Sequence, residues 1–435
     1  MEKKPPNIIL FITVQQSYDT IRGLNAPYMI TPNLDRLVEE GVSFSNTYVT
    51  APSCVPSRAS LFTGYYCHNT GVLTNGDHWS PTWVEMLAER GYHCVNIGKM
   101  HTIPINQTAG FHERFIVENK DRNRHLDKPA LAFYDEWDRY LAHKGLEKPG
   151  REFYMQLSDF DRSLGAVDWP LGEKDHPDFF VGNTVLWWLK QRESEHPLFL
   201  QIGFPGPHPP YDPLHRFVEQ YRGKELPIPQ LNESEIERQP PPHRDYRNEM
   251  INFIGSKARG PHDAVQWMEN PSREQLHRLR SYYYANVTMI DHKVGQIMQR
   301  LEEKGYLENS IVIFTSDHGD ALGDHGHIEK FMMYESMVRV PLILWGPQFF
   351  RGGRKIDSLV QLMDIAPFIL DSAGIEIPSS WDAKNLISLL QNSKPELREC
   401  VFSEHAPLSN HPMMAGPGKY WKKGEGRHDG TGLIT

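Results

Sequence analysis

The sequence predicts an α/β fold: a large mixed, mostly parallel sheet flanked by helices. Short apolar runs recur at Ile8–Val14, Val95–Ile97, Leu198–Ile202, Ile311–Thr315 and Pro341–Trp345. Such runs suit strands that are covered on both faces. Amphipathic segments with helix-end signals separate them, and strands alternating with helices argue for the α/β class.

The elements follow in chain order. Ile8–Val14 ends in Gln15-Gln16. Thr31-Pro32 opens a helix carrying Leu34, Leu37 and Val38 that stops at Gly41. A hydroxyl cap, proline in the first turn and glycine past the last are the asymmetry expected of helices. Pro56 and Gly64 bracket a further helix of about two turns, and Ser80-Pro81 opens one with Val84, Leu87 and Ala88 that stops at Gly91. Val95–Ile97 runs into Gly98-Lys99-Met100-His101, Leu198–Ile202 into Pro205-Gly206-Pro207-His208-Pro209, and Ile311–Thr315 into Ser316-Asp317-His318-Gly319-Asp320. The polar, proline-dotted stretches Asn106–His196 and Pro227–Arg273 read as insertions over one face of the sheet, where substrate selection resides. After His405 the pattern dissolves into Pro, Gly, Lys and His. The expected organisation is therefore one catalytic domain over residues 1–405 and a poorly ordered tail over 406–435.

Composition excludes several function classes. The 435 residues carry a net charge of −9, with 39% apolar and 23% charged side chains. This is the balance of a globular protein without a polyanion-binding tail, so no nucleic-acid partner is expected. No run approaches the roughly 20 apolar residues that span a bilayer. Met1–Pro6 is charged and Ile8–Val14 is too short for a leader core, which gives a cytoplasmic expectation without a membrane partner. Four cysteines (Cys54, Cys67, Cys94, Cys400) are too few for a disulfide framework and lack C-x-x-C spacing. Cys67, Cys94 and Cys400 read as buried thiols.

The chemistry collects where the strands end, because open α/β sheets bind ligands beyond the carboxyl ends of their strands. Cys54 stands just before a helix amino terminus, where amide groups and the helix dipole favour anions and lower a thiol pKa. A buried structural cysteine is the alternative reading of that position alone. Likewise Lys99 alone reads as a loop lysine and His208, between prolines, as a turn residue.

Cys54-Val55-Pro56-Ser57-Arg58, with Leu61 and Thr63-Gly64, resembles the signature of the cysteine-type sulfatases of the alkaline-phosphatase-like superfamily. The likeness continues through Thr31-Pro32-Asn33-Leu34-Asp35, Gly98-Lys99-Met100-His101, Pro207-His208, Tyr283-Tyr284-Ala285 with Ile290-Asp291, Ser316-Asp317-His318-Gly319, Gly323-Asp324-His325-Gly326 and Val340-Pro341. The resemblance implies the fold of that superfamily and hydrolysis of a small-molecule or saccharide sulfate ester. It implies that a maturase oxidises Cys54 to formylglycine, whose hydrate attacks sulfur while Arg58 holds it. Lys99, His208 and Lys330 would grip the sulfate oxygens. His208 is the first choice to protonate the leaving group and Lys330 the second, with His101 as the base that restores the aldehyde. His325 and His327 are left outside this set.

The resemblance also implies a divalent cation, calcium first and Mg2+ or Mn2+ next, held by Gln15, Cys54, Asp317 and His318. One position breaks the pattern. The chain reads Thr13-Val14-Gln15-Gln16 where relatives carry aspartate before the glutamine, and valine has no donor atom. Calcium needs about six to eight oxygens, so an impaired metal site with softer selectivity is expected. Relatives also add a small antiparallel sheet with a helix after the main sheet, and residues 406–435 show no strand pattern to build it, which implies a truncated C-terminal subdomain. Two rivals stand beside the sulfatase: a phosphonate or phosphate ester hydrolase of the same superfamily, and a degenerate protein that binds sulfated ligands. Trp79, Trp83, Tyr211 and Trp267 read as core or loop packing before pocket lining.

Overall fold

The computed structural model describes residues 4–118, 120, 134–192, 196–252, 265, 267–391, 396–405 and 431–434. Eight strands form one sheet: β1 (Asn7–Val14), β2 (Val42–Tyr48), β3 (His93–Gly98), β4 (Glu113–Ile116), β5 (Leu198–Pro207), β6 (Ser310–Ser316), β7 (Leu342–Trp345) and β8 (Arg354–Gln361), in the order β4-β3-β5-β1-β6-β7-β2-β8. Only β7 runs antiparallel to its neighbours β6 and β2, so the sheet is mixed and mostly parallel, as expected.

Both faces of the sheet are covered, and the alternation along β1 shows how. Ile8, Leu10 and Ile12 pack on one side with Val55, Ala59 and Phe62 of the Cys54–Thr63 helix (α2) and with Ile365, Phe368 and Ile369. Ile9 and Phe11 point to the other side, against Leu34 and Leu37 of the Pro32–Glu40 helix (α1), Val181 and Val185, and Ile290, Val294 and Ile297 of the long helix Arg273–Glu303. Every residue of β1 after Asn7 is buried, which is why Ile8–Ile12 is an unbroken apolar run with no polar alternate.

Three strands of this sheet escaped the sequence reading. β2 and β8 carry Ser43, Ser45, Asn46, Thr47, Arg354, Lys355 and Asp357 among their apolar residues, and β4 is a four-residue edge strand inside the supposed insertion 106–196. That stretch also holds the helix Pro177–Gln191, so it completes the sheet and one covering layer as well as extending over it. The unstructured reading of 406–435 is corrected at its end, where Thr431–Ile434 pairs antiparallel with Val401–Glu404 in a separate two-stranded sheet. Residues 406–430 lie outside the described residues. Among the described residues no helix is long and apolar enough to cross a membrane.

The capping expected at Thr31 takes another form. Thr31 Oγ1 donates to Asp35 and accepts the Arg22 amide at 2.9 Å but caps no amide of α1, whereas Asp291 of the long helix accepts the amides of Asn33 and Leu34 at 3.4 and 2.7 Å. The Thr31–Asp35 and Ile290-Asp291 motifs are therefore a structural clamp between α1 and its neighbour.

Candidate active site

Parallel pairing of β3, β5, β1 and β6 brings their carboxyl ends to one rim. The register aligns Gly98 with Gly203, Val14 with Pro207 and Thr13 with Ser316, so that Lys99, His208, Gln15 and Asp317 follow side by side. Gly98 and Gly203 are required by this closeness: a Cβ on Gly98 would lie 2.0 Å from the Gly203 carbonyl oxygen, and one on Gly203 would lie 1.9 Å from that of Lys99.

Cys54 opens α2, and its side chain is buried. The amide of Val55 is taken by Asn75 Oδ1 at 3.0 Å, so the helix start is partly capped from outside. Around the sulfur, His318 Nε2 stands at 3.1 Å and Lys330 Nζ at 3.5 Å, and the imidazole of His101 completes the ring of donors. Burial pushes the Cys54 thiol up, but Lys330, His318 and His101 together pull it well below its ordinary value. Cys67 and Cys94 lack such neighbours, and burial pushes each up to about 12. Cys400 is half-buried and so departs from the buried reading.

Arg58 lies one turn after Cys54 and is fully buried. Its Nε donates to Asp317 Oδ2 at 2.8 Å and its Nη1 to the Lys99 carbonyl at 3.1 Å. Arg58 therefore grips Asp317 directly, and through it the nucleophile position. Ser57 Oγ donates to the Asp317 carbonyl at 2.6 Å, a second tie between α2 and the end of β6. Lys99 acts electrostatically on both His101 and His208, and Lys330 on His208. The side chains expected to act together thus converge, although their spans in sequence run from Gln15 to Lys330.

His208 needs a correction in role. Burial and then the Lys330 and Lys99 ammoniums drive its pKa well down, while its Nδ1 pairs with the Pro209 carbonyl at 2.6 Å. A neutral ring donating from Nδ1 presents an unprotonated Nε2 to the pocket, so His208 is not poised to give a proton.

Several residues that hold this site were missed by sequence reasoning. Tyr283 donates to the Gln15 carbonyl at 2.7 Å and accepts from the Ser17 amide at 3.0 Å, which fixes Gln15 at a φ of 68°. His101 likewise has a φ of 62°, held by Glu118 Oε1, which accepts the amides of Met100 and His101 at 2.9 and 2.6 Å. Left-handed backbone at non-glycine residues is costly and persists where surrounding bonds over-determine it. Asp320 accepts from Gln15 Nε2 and from the Tyr211 hydroxyl, each at 2.6 Å. Tyr211 therefore braces the site from the core, and Trp79, Trp83 and Trp267 are buried, as the packing reading had it. His325 pairs with Glu235 and His327 with Gln239, away from the nucleophile.

The donor set does not fit a calcium shell. Val14 is fully buried and offers nothing. Asp317 Oδ1 already accepts the Gln15 amide at 2.9 Å and Oδ2 accepts Arg58, while Gln15 Oε1 accepts Lys330 Nζ at 2.8 Å. Asp19 lies among Arg280 and Asp324, so it does not replace the missing carboxylate. Against the about six to eight oxygens a calcium ion takes, these side chains leave lone pairs on Asp317 and Gln15. What remains together, among the described residues, is Cys54, Asp317 and His318, whose ligand atoms lie within 4.8 Å of one another.

Comparison with known proteins agrees with this geometry. The sequence profile of the sulfatase family matches residues 6–375. The chain is 30% identical over 425 residues to an arylsulfatase of Clostridium perfringens, covering 95% of this chain and 85% of that one. It is 27% identical to a choline-sulfatase of Rhizobium meliloti, covering 96% of this chain and 77% of that one. Among solved structures, the phosphonate monoester hydrolase of Agrobacterium radiobacter superposes with a TM-score of 0.71 at 20% identity, covering 94% of this chain and 82% of that one. A structure in complex with its substrate D-glucosamine-2-N,6-O-disulfate superposes with a TM-score of 0.68 at 22% identity, covering 93% and 84%. These two likenesses are of fold.

Proposed function

We propose that this chain, which belongs to the sulfatase family and is a sulfuric ester hydrolase, cleaves its ester with a nucleophile derived from Cys54. The observation that carries the reading is the position of Cys54 at the start of a helix, with His318 Nε2 at 3.1 Å and Lys330 Nζ at 3.5 Å from its sulfur. Oxidised to formylglycine by a maturase, that residue would supply a hydrate oxygen as nucleophile toward sulfur.

The chain's own residues do the rest. Lys99 and Lys330 are ammonium donors at the rim and His208 lines it, so a sulfate group entering there meets fixed positive charge in a water-poor pocket. Arg58 holds Asp317, and Asp317 and His318 hold the nucleophile position in line. Lys330, already within reach of the nucleophile position, gives its proton to the departing alcohol or phenol oxygen. The imidazole of His101, kept neutral by burial and by Lys99, takes a proton from the nucleophile side. Sulfated saccharides are the substrate class favoured by the relatives, which include an N-acetylglucosamine-6-O-sulfatase of Bacteroides thetaiotaomicron.

Peptide mass spectrometry at Cys54, run beside parallel turnover assays with an aryl sulfate, a saccharide 6-sulfate and a phosphonate monoester, tests this. The expected result is formylglycine at Cys54, sulfate turnover exceeding phosphonate turnover, and loss of both in Cys54→Ala. Faster phosphonate turnover would install the phosphonate hydrolase instead. Formylglycine with no turnover of any ester would favour the binding role that Val14 suggests.

A further inference from the structure

The atoms that surround Cys54 have the spacing of a different metal site from the one the family resemblance implies. Thiolate and imidazole ligands lie about 2.3 and about 2.0 Å from a zinc ion, so tetrahedral neighbours stand roughly 3.3–3.6 Å apart. Cys54 Sγ and His318 Nε2 are 3.1 Å apart, a few tenths of an ångström closer than that spacing, and His318 Nε2 and Asp317 Oδ1 are 3.6 Å apart, at its upper edge, so a small outward movement of the sulfur would seat the ion. The orientation also suits a ligand. His318 Nδ1 donates to the Gly319 carbonyl at 2.9 Å, which fixes one ring proton there and leaves Nε2 as the ring nitrogen that faces the sulfur and whose proton a metal ion would displace. Asp317 is held by Arg58 and by the Gln15 amide, yet each of its oxygens keeps a second lone pair.

Charge selects the state in which a cation would bind. Arg58, Lys99 and Lys330 already place positive charge around the cluster, and Asp317 is the carboxylate that remains within it. Val14 removes the second carboxylate that the family resemblance leads one to expect. A deprotonated Cys54 restores that missing negative charge, and it does so with a soft donor. Once the sulfur is replaced by a neutral oxygen function, both the charge and the softness are gone.

We infer that, while Cys54 is still a cysteine, Cys54, His318 and Asp317 form a binding site for a borderline-soft divalent cation of the zinc type, with a fourth position left for water. Binding releases to solvent the protons held on Cys54 Sγ and His318 Nε2 and forms sulfur–metal and nitrogen–metal bonds in their place, with no change of oxidation state. Zinc and the modification of Cys54 then compete for one sulfur atom, so zinc stabilises the immature chain and is released by maturation. The metal site rests on the cluster's geometry, and its release on maturation rests on the formylglycine reading of Cys54 proposed above.

The test uses the full chain produced without a maturase, with Cys54 verified as unmodified by intact mass and stripped with a chelator. Titration with Zn2+ and with Co2+ should load about one ion per chain, and the cobalt form should show a thiolate-to-metal charge-transfer band with the intense visible bands of four-coordination. Cys54→Ser and His318→Ala should each weaken zinc by more than about tenfold, since even partners outside the ligand shell are worth that much. Cys400→Ser, at the half-buried thiol, should bind as the parent does. Calcium should not load in the parent, whereas Val14→Asp should bind it measurably. A cobalt spectrum without the sulfur band, zinc retained undiminished in a folded Cys54→Ser chain, or stoichiometric calcium in the parent would each overturn the inference. Ester turnover by the matured chain is a separate readout, so loss of the sulfatase reading would leave the zinc result standing, and the reverse.

Discussion

Arg58 Nε and Asp317 Oδ2 meet at 2.8 Å with neither side chain reaching solvent. This pair joins the second turn of α2 to the residue that follows β6, and so sets where the Cys54 sulfur stands relative to the sheet rim. Buried ion pairs add little net stability, but removing one partner strands the other charge in a medium that cannot solvate it.

Asp317→Ala should therefore destabilise the chain by about 3–5 kcal/mol, read as a fall in the urea midpoint at unchanged slope. The double variant Arg58→Leu with Asp317→Ala should recover part of that loss, because no unpaired charge remains. A double variant less stable than the additive sum would show that the pair is not the source of the cost.

Tyr283→Phe removes a donor to the Gln15 carbonyl and an acceptor for the Ser17 amide. The expected stability loss is about 1–3 kcal/mol. Because the strained Gln15 backbone relaxes with it, kcat should drop by about tenfold while KM moves less. An unchanged kcat would mean that Gln15 is held by other bonds.

The two glycines at the rim should tolerate no side chain. Gly203→Ala puts a methyl group 1.9 Å from the Lys99 carbonyl oxygen, and the obstacle is backbone that cannot swing away. Gly91→Ala is the control: its φ is +91° but nothing lies within 4 Å of the added atom, so it should cost only about 1–2 kcal/mol. Thermal unfolding should show a clearly larger loss at Gly203 than at Gly91.

The pH profile follows from His101. Burial first, and then Lys99, lower its pKa below the ordinary 6.5, with Cys54 and Glu118 acting the other way. A lowered pKa keeps the neutral, proton-accepting ring present as pH falls through 6.5, so the acid limb of kcat should lie below that value. Glu118→Gln keeps an oxygen for the Met100 and His101 amides but removes the charge that raises His101. Its acid limb should shift to still lower pH, and a shift upward would contradict the assignment of His101 as base.

The strands that sequence revealed are those whose two faces are both covered: β1, β5 and β6 are buried almost throughout and each carries an apolar run, and the helix-end signals at Pro32–Gly41 and Pro56–Gly64 match helices in place. β2 and β8 stayed hidden because their polar residues are paired by partners remote in the chain, as Ser45 is with Asp357 and the Ile356 carbonyl. The nucleophile segment and the strand-end motifs were legible because each is a local string with its own chemistry. The bracing roles of Glu118, Asp320 and Tyr283 were not, since a carboxylate or phenol that holds a backbone or side-chain group 17, 305 or 268 residues away leaves no local trace.

By itself, then, the sequence determined the α/β class, the family, the side chains that gather around Cys54 and the absence of a donor at Val14. Those properties depend on residue type and on short spacing. Only the tertiary structure decided that Arg58 grips Asp317, that His208 is held neutral beside two ammoniums, and that Cys54, His318 and Asp317 stand at ligand spacing. Protonation and metal preference depend on the distances between charges and on their removal from water, and those distances exist only once parallel strands have aligned their ends.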